Sequence, residues 1–451
     1  MNTLSWTHRS RAACLCTLAL ITAACTDDTG SSTGTEDSTS NPGDGDGDPT
    51  GDGDPTGDGD PTGDGDPTGD GDPMGDGDPM GDPSLEPDTV TQVAVGGTIS
   101  VGHCAVDPSG NIYVTWQQDQ NGNQDIWASY STDGGQSFAA PIAIENGPDN
   151  PIGGWGPARK PYVAANGERV AVSYGTSPDG YSGVRISTNL DPLTFGPLIE
   201  VGTPDPTDVE EFQKVSFTPA GDLWVSWHWT VPGVSEAKMV SREEDGWAAE
   251  SASQASGEPC DCCPHDMRVN AAGDTLLAYR NNIDNIRDHW VSRDVGSNSG
   301  FGAAVQGSST GWFIPACPVS GPRLSETDAG RQLLTWADPT SGDPRVWLAF
   351  SDDGGASWSG DAIVQDSGGG QSLPAITTQA DGRILIAYDQ DGVGRVTGSI
   401  DDGQSFLPPV TIPTADGEMS RIELCSGPTA AGMVGVTPAG SLWWAGYVSQ
   451  G

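Results

Sequence analysis

Ser131-Thr-Asp-Gly-Gly-Gln-Ser-Phe138 recurs in the chain as Ser351-Asp-Asp-Gly-Gly-Ala-Ser-Trp358 and as Ser399-Ile-Asp-Asp-Gly-Gln-Ser-Phe406. In each copy the Asp side chain can accept hydrogen bonds from backbone amides, and the glycines supply the positive φ of a tight turn. Weaker copies begin at Ser187, Ser241 and Ser292, so successive copies start 48 to 59 residues apart. A regular period of about this length indicates a fold built from repeated units.

A second pattern accompanies the turn: an apolar strand, a short turn with Pro, Ala or Gly, and a strand rich in Trp or Tyr. It occurs in segments 105–116, 163–174, 217–227, 269–279, 324–336, 376–388 and 434–444. The body alternates β-branched and aromatic runs with Gly, Asp, Asn and Pro turns, and no stretch has a convincing helical period. Several short strands per repeat predict an all-β propeller in which each repeat forms one blade.

The repeated octapeptide resembles the Asp box of the sialidase and BNR-repeat superfamily. This resemblance covers residues 91–451 and implies a sialidase-like β-propeller, with the motif between the third and fourth strands of a blade. Sialidases have six blades, but the hairpins and turns counted here leave six or seven blades open. A strand near residues 91–95 is expected to complete the last blade and close the ring.

Charge divides the chain into two parts. The protein has 451 residues, with 63 Asp and Glu against 19 Lys and Arg. Residues 26–90 repeat Gly, Asp and Pro and contain no Lys or Arg, so we expect a disordered acidic stalk. The body from residue 91 is acidic as well, which argues against nucleic acid as a partner.

Residues 1–25 are typical of an export signal. Arg9 and Arg11 precede an apolar run that ends in Thr22-Ala-Ala-Cys25, and this run is too short to span a membrane. The cysteine after two small residues resembles a bacterial lipoprotein cleavage site, which implies lipidation of Cys25. We therefore expect the protein in the bacterial cell envelope, held by the lipid alone at the outer membrane or cell surface, or else secreted.

The other cysteines of the mature protein fall in or just before predicted innermost strands. They are Cys104, Cys260, Cys262, Cys263, Cys317 and Cys425. An even number in an oxidising compartment favours disulfides. If the last blade adjoins the first, Cys104 can pair with Cys425, and Cys317 can pair with one cysteine of the 260–263 cluster. The alternative is a copper or zinc site in which His265, and His103 with it, joins the cluster.

A calcium site is a further expectation. Asp119, Asn121, Asn123 and Asp125 place oxygen-bearing side chains at alternate positions around a Gly. Hard cations such as Ca²⁺ prefer ligands of this kind, although the segment lacks the distal Glu of an EF-hand. An ordinary polar turn is the competing interpretation.

The sialidase resemblance implies an arginine trio for the substrate carboxylate, a Tyr–Glu nucleophile pair and an acid/base Asp. The segment Ala158-Arg-Lys-Pro161 partly matches the family's Arg-Ile-Pro motif, with Lys160 in place of Ile. The candidate catalytic residues are Arg159, Asp179, Arg280, Arg323, Arg421, Glu423 and Tyr447.

Three functions remain open at this point. The first is a noncatalytic, monomeric binding module for a glycan or a surface protein. The second is an exo-glycosidase, specifically a sialidase. The third is a metal-binding or redox module at the cysteine cluster. Because a fold does not fix an activity, the residues at the propeller axis must distinguish them.

Overall fold

The structure is a computed structural model. It describes residues 84–120, 123–145, 159–175, 182–202, 209–231, 235–247, 253–255, 257–270, 272–295, 300–366 and 368–448. These residues form eight antiparallel sheets. Seven of them are blades, which we number in chain order, and the eighth is a two-stranded ribbon between blades 6 and 7. Within these ranges, no helix is long and apolar enough to cross a membrane. The protein is a seven-bladed β-propeller, which resolves the predicted choice between six and seven blades.

The chain enters the fold as β1 (Thr89–Ala94). Blade 1 contains β2 (Thr98–Val106), β3 (Ile112–Gln120), β4 (Asn123–Ser131) and β5 (Ile142–Glu145). Blade 2 contains β6 (Tyr162–Ala165), β7 (Val170–Gly175), β8 (Ser182–Leu190), β9 (Leu193–Phe195) and β10 (Ile199–Val201). Blade 3 contains β11 (Val209–Phe217), β12 (Leu223–Val231), β13 (Ser235–Arg242) and β14 (Ser253–Gln254).

The second half of the ring repeats this arrangement. Blade 4 contains β15 (Asp266–Val269), β16 (Thr275–Arg280), β17 (His289–Asp294) and β18 (Val305–Gln306). Blade 5 contains β19 (Arg323–Glu326), β20 (Gln332–Asp338), β21 (Arg345–Ser351) and β22 (Ala362–Ile363). Blade 6 contains β23 (Gln371–Thr378), β24 (Ile384–Gln390) and β25 (Val393–Ser399). After the short ribbon β26 (Pro413–Thr414) and β27 (Gly417–Glu418), blade 7 contains β28 (Ser420–Ser426), β29 (Ala430–Val436) and β30 (Leu442–Val448).

Strand β1 closes the ring, as the sequence predicts. It pairs antiparallel with β30, with Thr89 opposite Gly446 and Ala94 opposite Leu442, and so forms the outer strand of blade 7. The Cys104–Cys425 disulfide joins β2 to β28 and confirms the predicted bridge between the first and last blades.

The folded region begins earlier than residue 91. Leu85 is only 5% exposed and packs in a core cluster with Tyr447 and Trp443. Its carbonyl oxygen accepts a hydrogen bond from the Tyr447 hydroxyl at 3.0 Å. The last residues of the predicted 26–90 linker therefore belong to the propeller, because an apolar side chain there has a core to enter.

The three octapeptide turns share one hydrogen-bond pattern. Ser131 Oγ donates to Asp133 Oδ1 at 2.7 Å, and Asp133 accepts from the Ser137 amide at 3.0 Å. The same bonds recur in the turns at Asp353 and Asp401. Gly135 adopts a φ of 86° and packs so closely on the indole of Trp444 that a Cβ would overlap it. The turn of blade 1 thus packs against blade 7.

Tryptophans fill the blades. Trp116, Trp227, Trp336 and Trp444 are among the largest fully buried side chains. Trp227, Trp443 and Trp444 are blade core, whereas Trp229, next but one to Trp227 in the same strand, is only partly buried. Burial of such large apolar surfaces is the main source of stability in the blades.

Candidate functional site

A cavity of about 310 Å³ lies on the propeller axis and is lined by the innermost strand of every blade. Its charged lining residues are Lys214, Arg268, Arg323, Asp266 and Glu423. Positive charge is in excess here, although the whole protein has a formal net charge of −44. The cavity therefore differs from the protein around it in the sign of its charge.

Ion pairs link the cavity residues of different blades. Lys214 Nζ lies 2.9 Å from Asp266 Oδ1, and Arg323 Nη2 lies 3.3 Å from Glu423 Oε1. Lys160, behind the cavity, also contacts Glu423. Both carboxylates thus have cationic partners, and the pairs join the innermost strands to one another.

Two β-bulges aim these side chains at the axis. In β11 the pairing register shifts between Glu211 and Lys214, and Phe212 has a φ of 60°. In β28 it shifts between Ser420 and Glu423, and Arg421 has a φ of 50°. A bulge bends the strand and redirects the following side chain, so in both strands the cavity residue comes two positions after the positive-φ residue.

Electrostatics fix the charge states of the cavity. Burial opposes ionisation of Asp266, but the charges of Lys214 and Arg323 and the Leu324 amide outweigh it and lower the pKa of Asp266. Burial lowers the pKa of His103 well below its ordinary value, and the nearby cations add to this shift. Asp266 is therefore a carboxylate and His103 a neutral imidazole at pH 7.

An aromatic wall borders the cations. The His103 ring packs on Tyr162 with 4.6 Å between ring centroids, and His103 Nδ1 accepts the Val163 amide at 3.3 Å. Lys214 Nζ lies 3.8 Å from the centroid of the Tyr162 ring. Cation–π contact of this kind stabilises a desolvated ammonium.

A sulfur cluster lies where the chain enters blade 4. The Sγ atom of Cys260 lies 3.0 Å from that of Cys263 and 3.6 Å from that of Cys262. Cys262 forms a disulfide with Cys317, which confirms that Cys317 pairs with this cluster. Cys260 and Cys263 are unbonded and buried, so these six cysteines form two disulfides where they could have formed three.

Cations surround the two free thiols. Arg287 Nη1 donates to Cys260 Sγ at 3.1 Å, and Lys238 Nζ donates to the Cys263 carbonyl oxygen at 2.7 Å. The hydrogen bond shared with Cys263 lowers the pKa of Cys260, with help from Arg287, whereas burial raises the pKa of Cys263. Positive neighbours favour a thiolate and oppose a metal cation at the same place.

The structure does not assemble the predicted catalytic set. Of Arg159, Arg280, Arg323 and Arg421, only Arg323 lines the cavity. Arg159 pairs with Glu211, and Arg421 Nη1 donates to the Ser100 carbonyl oxygen at 2.9 Å. Arg280 is fully buried and donates to Ser320. These three guanidinium groups have other partners and do not join Arg323 at the cavity.

Tyr447 and Glu423 do not form the expected nucleophile pair. The Tyr447 hydroxyl is bonded to Leu85, while Glu423 contacts Lys160 and Arg323. Tyr447 lies at the end of β30, and β29 separates it from β28, the innermost strand that carries Glu423. Asp179, the predicted acid/base residue, lies outside the described residues.

The register of the β3–β4 hairpin argues against the predicted calcium loop. Asp119 lies opposite Gln124, and Asp125 lies opposite Gln118. Since successive side chains alternate between the faces of a strand, the two carboxylates point to opposite faces of the hairpin. Asn121 lies outside the described residues, and Asn123 begins β4.

Sequence reasoning missed Lys214 and Asp266. Both lie in innermost strands, so the presence of a charged residue in a strand that lines the axis was the usable signal. The bulge that directs Lys214 has no evident sequence signature, since a phenylalanine occupies its positive-φ position.

Comparison with known proteins yields structural neighbours only. No family model and no curated protein matches the sequence. A protein of unknown function from Dyadobacter fermentans superposes with a TM-score of 0.47 and 12% identity, over 80% of this chain and 98% of that one. An α-L-arabinanase from Penicillium chrysogenum superposes with a TM-score of 0.46 and 11% identity, over 80% of this chain and 98% of that one. A sialidase from Streptococcus pneumoniae superposes with a TM-score of 0.44 and 10% identity, over 80% of this chain and 70% of that one. These similarities concern the propeller fold and assign no function.

Proposed function

We propose that this protein is a noncatalytic glycan-binding propeller whose axial cavity holds an acidic sugar, and that lipidated Cys25 anchors it at the cell envelope. The observation that carries the proposal is the excess of cations in the axial cavity of a strongly acidic protein. Arg323 is the natural anchor for a sugar carboxylate, because guanidinium groups bind carboxylates through charge-assisted hydrogen bonds.

The size and polarity of the cavity suit one sugar residue. Its volume of about 310 Å³ is at the lower end of the range for small-molecule sites. The carboxylate of a bound uronic or sialic acid would compete with Glu423 for Arg323, and hydroxyl groups would meet the surrounding polar side chains.

The state of the carboxylates favours binding over hydrolysis. Glycoside hydrolysis by paired carboxyl groups needs one acid whose pKa is raised, so that it can protonate the leaving group. Asp266 has a lowered pKa, and Glu423 is held by Lys160 and Arg323. Asp266 is therefore not suited to donate a proton at neutral pH.

Calorimetric titration of the full-length protein tests this proposal. We expect D-glucuronate or N-acetylneuraminate to bind, and D-glucose to bind at least roughly tenfold more weakly, as the loss of one charged hydrogen bond implies. The Arg323→Met substitution should weaken binding of the acidic sugar by a similar factor. Arg331→Met is the matched control, since Arg331 pairs with Asp352 on an outer turn.

Hydrolysis is measured on the same samples with a fluorogenic sialoside. We expect no turnover, with or without calcium. Equal binding of acidic and neutral sugars would contradict the proposed ligand. Turnover that is lost in Arg323→Met or Arg159→Ala would contradict the noncatalytic role and establish the glycosidase.

A further inference from the structure

The cysteines of the blade 4 sulfur cluster and their partner Cys317 differ in solvent exposure. Cys317 is exposed, Cys262 is partly buried, and Cys260 and Cys263 are each 0% exposed. The three sulfurs of Cys260, Cys262 and Cys263 all lie within 4.8 Å of one another. An external thiol can therefore reach the Cys262–Cys317 bridge, whereas the buried pair is shielded from solvent and adjoins this bridge at Cys262.

We propose that Cys260 and Cys263 form a redox-active dithiol–disulfide pair that exchanges electrons with external dithiols through the Cys262–Cys317 bridge. This activity is independent of sugar binding at the axis. The 3.0 Å separation of the two Sγ atoms needs a shift of only about 1 Å to reach the length of a disulfide bond. The Cys-x-x-Cys spacing of residues 260 and 263 is also the spacing at which thiolates commonly become reactive.

The exchange needs no reactant beyond the external dithiol. The dithiol first reduces the exposed bridge: its first thiolate attacks a bridge sulfur, its second thiolate displaces that sulfur, and Cys262 and Cys317 are left reduced. The Cys262 thiolate then attacks Cys260 in the Cys260–Cys263 disulfide, and Cys263 leaves as a thiolate that takes up a proton. Finally the Cys317 thiolate attacks Cys262 in the Cys260–Cys262 intermediate and releases Cys260. The external dithiol is oxidised, the buried pair is reduced, and the exposed bridge is restored.

The surroundings stabilise the reduced form of the buried pair. The bond from Arg287 to Cys260 Sγ and the nearby Lys238 ammonium compensate the charge of the departing thiolate. A disulfide whose reduced form is stabilised is the stronger oxidant. We therefore expect Cys260–Cys263 to be reduced before Cys262–Cys317 is lost.

The loop that carries Cys317 is held in place while its bridge is open. Arg280 donates to the carbonyl oxygen and the hydroxyl group of Ser320, each at 3.1 Å. Gly321 packs so closely on Pro264 that a Cβ would overlap the Pro264 carbonyl. These contacts keep Cys317 close to Cys262, so reclosure of the bridge is intramolecular and favoured.

The test is a redox titration of the full-length protein in buffers of reduced and oxidised dithiothreitol. Samples are quenched with acid, alkylated and mapped as peptides without reduction. We expect Cys260–Cys263 to form in oxidising buffer, and to open at dithiothreitol ratios that leave Cys262–Cys317 intact. In Cys317→Ser the last step is blocked, so a Cys260–Cys262 disulfide should accumulate. Cys104→Ser, which removes the other bridge, should leave the behaviour of the cluster unchanged.

Three results would overturn the proposal. The first is that Cys260 and Cys263 remain free thiols in oxidising buffer. The second is that the buried disulfide persists after Cys262–Cys317 has opened. The third is stoichiometric zinc or copper in the purified protein that protects these thiols from alkylation. The wild-type titration decides the question even if Cys317→Ser does not fold.

Discussion

The Lys214 ammonium lies 2.9 Å from the Asp266 carboxylate, and this pair joins the innermost strands of blades 3 and 4. Asp266 also accepts the Leu324 amide of blade 5 at 2.8 Å. One carboxylate thus links three blades at the axis. The groups that line the cavity also hold the ring together, so the cavity is organised before a ligand arrives.

Leu85 should contribute to stability although it lies in the acidic stalk segment. We expect Leu85→Ala to lower the free energy of unfolding by about 2–4 kcal/mol, because a buried leucine is lost from the core. Urea unfolding of the full-length protein measures this. Val95→Ala is the surface control, since Val95 is 62% exposed, and deletion of residues 26–81 should leave the unfolding midpoint unchanged. An unchanged midpoint in Leu85→Ala would contradict the packing of this residue.

The bridge that closes the ring should stabilise the protein more than the bridge at the sulfur cluster. Cys104 and Cys425 are 321 residues apart, whereas Cys262 and Cys317 are 55 apart. Chain-entropy arguments give the longer loop an advantage of about 1.5 kcal/mol. Chemical unfolding of the two Cys→Ala double variants compares the effects. If both double variants lose equal unfolding free energy, or if the Cys262 and Cys317 variant loses more, loop closure does not determine how much each disulfide stabilises the protein.

The repeated turns should make the protein sensitive to acid. Hydrogen bonds from Ser137 and Ser131 lower the pKa of Asp133 to about 2, and those from Ser405 and Ser399 do the same for Asp401. Because these folded-state pKa values lie below the ordinary value of about 4, their stabilisation is complete above that pH and is lost as the pH falls towards 2.

We therefore expect the double variant Asp133→Ala and Asp401→Ala to melt at a lower temperature than wild type at pH 5. Its melting temperature should then fall less steeply between pH 4 and pH 2. Asp328→Ala, at an exposed turn position, should retain the wild-type slope. Parallel curves for the double variant and the wild type would rule out this role of the turns.

Much of the fold could be predicted because short sequence motifs mark each repeat. The Ser131 to Phe138 turn and its copies mark the blades, since Asp and Gly have few alternatives in such a geometry. The positions of Cys104 and Cys425 relative to their innermost strands were sufficient to predict the closing bridge. Each inference used residues whose conformation depends mainly on near neighbours.

The site was harder to predict from the sequence because it depends on which strand and which face of that strand a residue occupies. Tyr447 and Glu423 are close in sequence, but they lie two strands apart in the sheet order of blade 7. Lys214 points into the cavity because of a bulge at Phe212, and Arg280 anchors the Cys317 loop through tertiary contacts. Such contacts are set by packing between blades, which a single sequence does not reveal.

Binding of a matched pair of ligands is the sharpest test of an acidic-sugar site at the propeller axis. Methyl α-D-glucuronoside carries an ionised carboxylate, which its methyl ester replaces by a neutral group with one added methyl, and saturation-transfer NMR reports the affinity of each for the full-length protein. We expect the acid to bind and the ester to bind at least roughly tenfold more weakly, with both ligands intact after prolonged incubation. Equal binding of acid and ester, or cleavage of the glycoside, would contradict an axial cavity that holds acidic sugars without hydrolysing them.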